Sequence, residues 1–318
     1  MYHFDEPKAI THIKSLKAKR VILQLPEGLK PHGFKLARSI ESKAGAQVYI
    51  TADPCYGACD LPQEAHRLLK TDLIIHYGHT ALTKEDRDDV LFIEAFSDVK
   101  VKPSLQKALK LLKNDTKIGL ATTVQHIPVL EEAKQILESA GLHVSVGKAS
   151  GKLRYDGQIL GCDYSTAQQI SDEVDAFIVL AGGDFHAIGL QASTGKRTII
   201  ADPYTGDTRD VTDKYRIYQK KRMAALGKFL ESRRVAVILG LKTGQIEVKR
   251  AENIKDRIER AGKECVLICC REITPENLTS FTDIDLFVNT ACPRIAHGDA
   301  GKFLKPIVNS EDIENLLG

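Results

Sequence analysis

Short apolar runs along the chain alternate with segments in which apolar residues recur every three or four positions. The first run, residues 21–25, is followed by such a segment and then by Gly45, a residue suited to the left-handed position that ends many helices. A new apolar run begins at residue 47. This order predicts a strand, a helix and a second strand. The apolar positions of the predicted helix are Phe34, Ala37, Ile40 and Ala44.

The same order of elements occurs twice more in the chain. The second copy has predicted strands at 118–121 and 142–146 around a helix closed by Gly141, and the third has strands at 235–239 and 265–268 around a helix closed by Gly262. Each copy continues with a third apolar run that begins with Asp, and then with a fourth run. The third runs begin at Asp72, Asp175 and Asp285, and the fourth runs are residues 90–93, 198–201 and 307–308.

Near-continuous apolar strands that alternate with helices are typical of parallel sheets buried on both faces. The repeat therefore predicts an α/β protein made of three similar parallel-sheet units, each of about 100 residues. We place the predicted domains at residues 1–102, 103–210 and 211–318. The stretch near residues 205–233 is rich in Lys, Arg and Tyr, and it is predicted to be a helical connector with a basic, solvated face.

Charge and composition narrow the class of protein. The 318 residues carry 45 basic and 42 acidic side chains, and the resulting net charge of +3 argues against direct nucleic-acid binding. The apolar runs are much shorter than the ~18 residues that a membrane span needs, and the first 20 residues contain no apolar signal segment. We therefore expect a cytoplasmic protein without a membrane partner.

Three of the seven cysteines lie in loops where this fold binds ligands. Cys59 and Cys162 follow the second strands of their units in glycine-containing loops, and Cys292 follows the third strand of the last unit. Ligands of open α/β sheets bind beyond the carboxyl ends of the strands. Three converging thiolates suit an iron–sulfur cluster or a zinc ion, and either would keep one position open for a substrate. Ligands of this kind are free thiolates, so none of the seven cysteines has to form a disulfide and their odd number needs no further explanation.

The other cysteines have simpler interpretations. Cys265, Cys269 and Cys270 lie in or at the end of an apolar strand and are predicted to pack in or near the core. For Cys55 three roles remain open, namely a small packing residue, a spare thiol and an alternate ligand, and packing is favoured.

Four segments of the chain resemble one known family. They are LPEG at 25–28, ADPCYGACD at 52–60, GCDY at 161–164 and NTACPR at 289–294. They are similar to the archaeal diphthamide biosynthesis enzymes, which are non-standard radical S-adenosylmethionine enzymes. The resemblance implies Rossmann-like units arranged around a central cluster site in a homodimer, with a 4Fe-4S cluster on Cys59, Cys162 and Cys292.

The resemblance also implies an activity. The reduced cluster would cleave the bond between the sulfur and the γ carbon of S-adenosylmethionine, giving a 3-amino-3-carboxypropyl radical and methylthioadenosine. The radical would add to C2 of a histidine of translation elongation factor 2, which makes the chain a transferase that needs an electron donor. No side chain of the protein is assigned as an acid or a base.

Five further residues are candidates for binding the substrate. Glu27 and Gly28 follow the first strand of the first unit, and Gly244 and Gln245 occupy the equivalent loop of the third. His79 lies seven residues after Asp72, as Cys292 lies seven after Asp285. These groups would contact the methionine moiety or the adenosine of S-adenosylmethionine. Turn-forming glycines and a structural histidine are the alternative interpretation.

Three other functions share parts of this pattern. A quinolinate-synthase-like enzyme would use the open iron of a 4Fe-4S cluster as a Lewis acid. A non-catalytic, cluster-bearing partner subunit would support another chain, and a zinc scaffold would use the same thiols without iron.

Overall fold

The computed structural model describes residues 2–82, 88–112 and 114–317. The chain divides into two compact units, Met1–Asp210 and Val211–Gly318. It is an α/β protein with three sheets, two in the first unit and one in the second. Within the described ranges no helix combines the length and the apolar character needed to cross a bilayer.

The first sheet has the strand order β2-β1-β3-β4, and all its strands are parallel. One face packs under the helices α1 and α2 through residues such as Leu23 and Ile75, and the other face contributes Ile22 and Ile74 to a second cluster. The elements are α1 (Glu6–Leu16), β1 (Arg20–Gln24), a 3-10 helix (Glu27–His32), α2 (Gly33–Ala44), β2 (Gln47–Ile50), α3 (Gln63–Leu69), β3 (Leu73–Tyr77) and β4 (Val90–Ile93).

The second sheet has the order β6-β5-β7-β8-β9. Its first four strands are parallel, and the polar strand β9 joins β8 in antiparallel orientation. Its elements are α4 (Lys102–Leu109), β5 (Lys117–Thr122), a 3-10 helix (Val124–Val129), α5 (Leu130–Ser139), β6 (His143–Ser145), α6 (Ser165–Gln168), a 3-10 helix (Ser171–Glu173), β7 (Ala176–Leu180), α7 (Phe185–Thr194), β8 (Arg197–Ala201) and β9 (Thr208–Asp210).

The third sheet, in the second unit, repeats the order as β11-β10-β12-β13, again all parallel. Its elements are α8 (Thr212–Glu231), β10 (Arg234–Gly240), a 3-10 helix (Thr243–Gln245), α9 (Val248–Arg260), β11 (Glu264–Cys270), α10 (Pro275–Thr279), β12 (Leu286–Asn289), α11 (Arg294–His297), a 3-10 helix (Ala300–Lys302), β13 (Ile307–Asn309) and α12 (Ser310–Leu317).

The repeated order confirms the predicted fold class of three similar parallel-sheet units. The glycines predicted to close the three helices adopt the left-handed conformation, with φ values of 69° at Gly45, 87° at Gly141 and 82° at Gly262. The stretch predicted as a connector forms α8, a 20-residue helix. The three predicted domain ranges stay a prediction.

The structure departs from the apolar helix pattern at Phe34 and from the packing prediction at Cys269. Phe34 is 77% exposed, because α2 turns Leu36, Ala37 and Ile40 toward the sheet instead. Cys269 is also exposed, since β11 is the edge strand of its sheet and its outer positions face solvent. Of its neighbours, Cys265 is buried as predicted and Cys270 is half-buried.

The aspartates that begin the third apolar runs share one structural role. In each sheet the carboxylate accepts two backbone N–H groups at the start of the neighbouring strand, which is β1, β5 or β10. These bonds hold the pKa of all three aspartates below the ordinary value. The donor pairs are Lys19 and Arg20 for Asp72, Thr116 and Lys117 for Asp175, and Arg233 and Arg234 for Asp285.

We predict that Asp72→Ala destabilises the chain by about 1 kcal/mol, a low figure because the carboxylate is solvent-exposed. Asp72→Asn should cost less, since both N–H groups are bonded to the same oxygen and an amide oxygen can accept both. The pKa of Asp72 in the folded chain lies below its ordinary value of 3.8. The carboxylate charge therefore adds to the free energy of unfolding above pH 3.8, and this contribution is lost as the pH falls through the folded-state pKa. Urea unfolding at two pH values measures both effects.

Asp213→Ala is the matched control, since its carboxylate is 90% exposed and pairs with the Arg216 side chain at 3.1 Å. Equal stabilities for Asp72→Ala and the control would contradict the role assigned to Asp72.

Candidate metal centre

The loop that carries Cys59 is anchored to the end of the first sheet. Gln24 and His76 are paired across β1 and β3, and both are buried at the carboxyl ends of these strands. The Gln24 amide nitrogen donates a 2.6 Å hydrogen bond to the carbonyl of Asp60, and the Asp60 N–H donates to the carbonyl of Gly57. Cys59, which is half-buried, therefore lies between two fixed backbone positions.

A lysine ties the preceding segment of this loop to the 3-10 helix after β1. The Lys30 ammonium donates to the carbonyls of Ala52 and Asp53 at 2.8 and 3.1 Å and pairs with the Glu27 carboxylate at 2.5 Å. Glu27 thus acts on the cysteine loop through Lys30. Gly28 is exposed, and a Cβ there would meet no atom within 4 Å, so packing does not require this glycine.

Cys162 lies at the tip of a tight turn in the same unit. The N–H and C=O groups of Leu160 and Asp163 bond to one another across the turn. The Asp163 carboxylate accepts the backbone N–H groups of Lys152 and Ser165, so it shapes the loop. A Cβ at Gly161 would lie 2.3 Å from the Phe185 ring, so a larger residue at this position requires the ring to move.

The thiols of Cys59 and Cys162 lie close enough to interact electrostatically. The pKa of Cys162 is raised, mainly because its thiol is buried, even though other atoms of the residue are exposed. Lys152 opposes this shift, whereas the charges of Cys59 and Asp163 add to it. Two of the three predicted cluster ligands therefore face a common region of the first unit.

His79 lies in the loop that follows β3. Its Nδ1 atom is 2.9 Å from Nε2 of His76, and burial lowers the pKa of His79 to about 4. Burial also lowers the pKa of His76 well below its usual value, so both imidazoles are neutral near pH 7. Gly78, between them, has a φ of 88°, and a Cβ there would lie 2.9 Å from Pro26.

Side chains from segments that follow the strands β5 and β6 of the second sheet hold the His79 loop in place. Three side chains, Gln125, Arg154 and Gln158, donate hydrogen bonds to two backbone carbonyls and one hydroxyl of this loop. The bonds run from Gln125 to the Gly78 carbonyl at 2.8 Å, from Arg154 to the Ala81 carbonyl at 3.0 Å, and from Gln158 to the Thr80 hydroxyl at 3.1 Å. The position of His79 is thus fixed from both sheets of the first unit.

The loop of Cys292, in the second unit, has its own anchor. Asn289 and Asn309 are paired at the carboxyl ends of β12 and β13 and are both buried. The Asn289 amide nitrogen donates to the Cys292 carbonyl at 2.9 Å and to Oδ1 of Asn309 at 2.8 Å. The Asn309 amide donates to the Pro293 carbonyl at 3.2 Å.

Gly244 and Gln245 lie in the 3-10 helix after β10 of the same unit. The Gln245 N–H donates to the carbonyl of Lys242, a buried residue that pairs with Glu272 at 2.9 Å. A Cβ built on Gly240 would lie 2.6 Å from the Ala291 methyl and 3.6 Å from Oε1 of Gln245. Gln245 and the residue before Cys292 therefore border the same glycine, while Gly244 is exposed.

The sequence did not identify the side-chain pairs that hold these loops, nor a second group of metal-binding atoms. Cys55, His76 and His79 place one donor atom each within 4.8 Å of one another. The available signal was the spacing of His76 and His79, which lie three residues apart at the end of an apolar run.

Comparison with known proteins gives consistent results. The model of the diphthamide synthesis protein family matches residues 25–318. The 2-(3-amino-3-carboxypropyl)histidine synthase of Pyrococcus horikoshii is 31% identical over 319 residues, which span 100% of this chain and 91% of that protein. Subunit 1 of the synthase of the same name from Homo sapiens is 31% identical over 313 residues, covering 96% of this chain and 70% of that protein.

A solved structure agrees with these relatives. The crystal structure of Dph2 from Pyrococcus horikoshii with a 4Fe-4S cluster matches with a TM-score of 0.89 and 31% identity, over 100% of this chain and 92% of that one. The predicted resemblance is confirmed, and the prediction of an enzyme is confirmed through relatives that carry the name of a synthase. The chain belongs to the diphthamide synthesis protein family.

Proposed function

We propose that this chain transfers the 3-amino-3-carboxypropyl group of S-adenosylmethionine to C2 of a histidine of translation elongation factor 2. The observation that carries the proposal is the interacting thiol pair of Cys59 and Cys162, in a chain whose solved relative binds a 4Fe-4S cluster. The family favours this reaction over the Lewis-acid, partner-subunit and zinc-scaffold alternatives.

The residues present suit an iron–sulfur cluster. Burial and the charge of Cys59 raise the pKa of Cys162, and a bound cationic group offsets that cost by pairing with both thiolates. Cys292 supplies the third thiolate of the proposed set. Three thiolates on four irons leave one iron without a protein ligand, and this is the position at which substrate binds.

When bound, the reduced cluster supplies the one electron that breaks the carbon–sulfur bond of S-adenosylmethionine. The chain has to hold the sulfonium so that the bond to the 3-amino-3-carboxypropyl group, rather than either of the other two, lies next to the electron source. We assign this positioning to Glu27, Gly28, His79, Gly244 and Gln245. Gly28 and Gly244 are exposed, which leaves their backbone accessible to a ligand.

His79 is suited to a polar contact without charge. Because it is neutral near pH 7, it adds no repulsion toward the positively charged sulfonium. The proposal further includes a homodimer in the cytoplasm, an electron donor and elongation factor 2 as the protein substrate. No acid or base of the chain takes part in it.

We predict that Cys59→Ala, Cys162→Ala and Cys292→Ala each reduce the iron and sulfide retained after anaerobic reconstitution by about tenfold or more, since loss of a ligand costs at least as much as loss of an outer partner. Cys269→Ala is the matched control, because this cysteine is exposed on the edge strand β11 and belongs to none of the three loops. Full iron retention in any of the three variants would remove that residue from the proposed set.

We predict that the reconstituted, reduced chain releases methylthioadenosine from S-adenosylmethionine and labels elongation factor 2 on histidine. Chromatography and mass spectrometry detect the two products. Deoxyadenosine as the main nucleoside product would refute the proposed cleavage, and quinolinate formation without a reductant would support the Lewis-acid alternative. Release of methylthioadenosine without labelling would point to a subunit that needs another chain.

We predict that Asn289→Asp loosens the Cys292 loop. The substitution removes the donor to the Cys292 carbonyl and places a carboxylate against Oδ1 of Asn309, at an expected cost of about 1–3 kcal/mol. Iron retention should fall together with the thermal midpoint. Asn277→Asp is the control, since its amide also donates to a carbonyl but is exposed. Identical behaviour of the two variants would show that Asn289 does not position the loop.

A further inference from the structure

A second group of metal-binding atoms lies in the first unit, apart from the three proposed cluster cysteines. The Cys55 thiol and one ring nitrogen each of His76 and His79 lie within 4.8 Å of one another. Cys55 is 5% exposed and His76 is fully buried, whereas His79 is half-buried and gives the group an opening to solvent. The reaction proposed above uses His79 for a polar contact with the substrate, but it uses neither Cys55 nor His76.

The hydrogen bonds around His76 determine which of its nitrogens is available. The Asp60 carbonyl can only accept, so the Gln24 amide nitrogen must face it and Oε1 of Gln24 must face His76. That oxygen is 2.7 Å from Nδ1 of His76, which therefore carries the proton. The lone pair of His76 is then on Nε2, directed at His79.

This arrangement is the one that metal-binding histidines usually have. A ligating imidazole donates its other N–H to an amide, carboxylate or carbonyl oxygen, which fixes the tautomer and the ring orientation. Gln24 supplies that oxygen, and its own amide is fixed by the backbone of Asp60.

The distances suit a small tetrahedral ion. Two nitrogens bound to one zinc ion at about 2.0–2.1 Å lie about 3.3 Å apart. The observed separation between Nε2 of His76 and Nδ1 of His79 is 2.9 Å, so binding requires the rings to separate by a few tenths of an ångström and His79 to move its proton to Nε2. Gly78 and the donors from the second sheet hold the His79 backbone while the ring adjusts.

We propose that Cys55, His76 and His79 form a second metal site, which takes one borderline-soft divalent cation of the zinc class. One thiolate and two imidazoles are ligands that zinc prefers, and three of them leave a fourth position open. The ion would tie the cysteine loop to β3 four residues before Cys59. The site requires neither the cluster nor S-adenosylmethionine.

Cobalt(II) is the probe for this site, because tetrahedral coordination by nitrogen and sulfur gives intense visible bands. The full-length chain with Cys59, Cys162 and Cys292 all replaced by Ala removes the competing thiols. We expect it to bind one cobalt ion per chain and to release the ion to Zn²⁺. Adding Cys55→Ser or His79→Gln should weaken binding by about tenfold or more, whereas adding Cys265→Ala, at another buried thiol, should not.

A second measurement keeps the test valid if the triple variant fails to fold. In the cluster-loaded chain, zinc and iron are counted separately by mass spectrometry after exposure to one equivalent of Zn²⁺. We expect Cys55→Ser to lose the zinc and to keep the iron, which also separates this proposal from the cluster proposal. No stoichiometric zinc, or zinc that is retained in both Cys55→Ser and His79→Gln, would overturn the second site.

Discussion

Buried amides at the carboxyl ends of parallel strands set the position of the cysteine loops. Gln24 donates to the carbonyl after Cys59, and Asn289 donates to the carbonyl of Cys292 itself. A buried donor or acceptor left without its partner costs about 1–3 kcal/mol, so a shift of either loop away from its sheet is disfavoured by that amount. The loops thereby acquire the rigidity of the strands, as ligand-binding loops require.

At the amino ends of the strands, charged carboxylates hold neighbouring strands together. Asp72, Asp175 and Asp285 each bridge the starts of two neighbouring strands, β3 to β1, β7 to β5 and β12 to β10, through two backbone N–H groups. Each sheet is thus fixed at its amino end by a solvent-exposed carboxylate. At the carboxyl end, the first and third sheets use buried amides, where solvent does not weaken the hydrogen bonds.

Much of the fold could be predicted because burial on both faces makes the strands continuously apolar. The same rule could not find β9, because this strand is polar. It also placed Cys269 in the core, because the edge strand β11 is apolar in sequence although part of it is exposed to solvent. The pairing of Gln24 with His76 joins residues 52 positions apart, and only the register of β1 against β3 brings them together. Spacing along a chain carries no such information.

Cys55 and Cys59 show why two cysteines in one short loop need not serve one centre. Cys55 is buried against the imidazoles at the end of β3, whereas Cys59 is half-buried and interacts with the thiol of Cys162. Packing was the favoured interpretation of Cys55, and its burial agrees with that. Its surroundings are nevertheless polar, because the strand-end positions that fix the loop also place nitrogen donors beside it. The requirement that orders the cysteine loop has therefore also brought together, four residues away, the donor atoms of a second site.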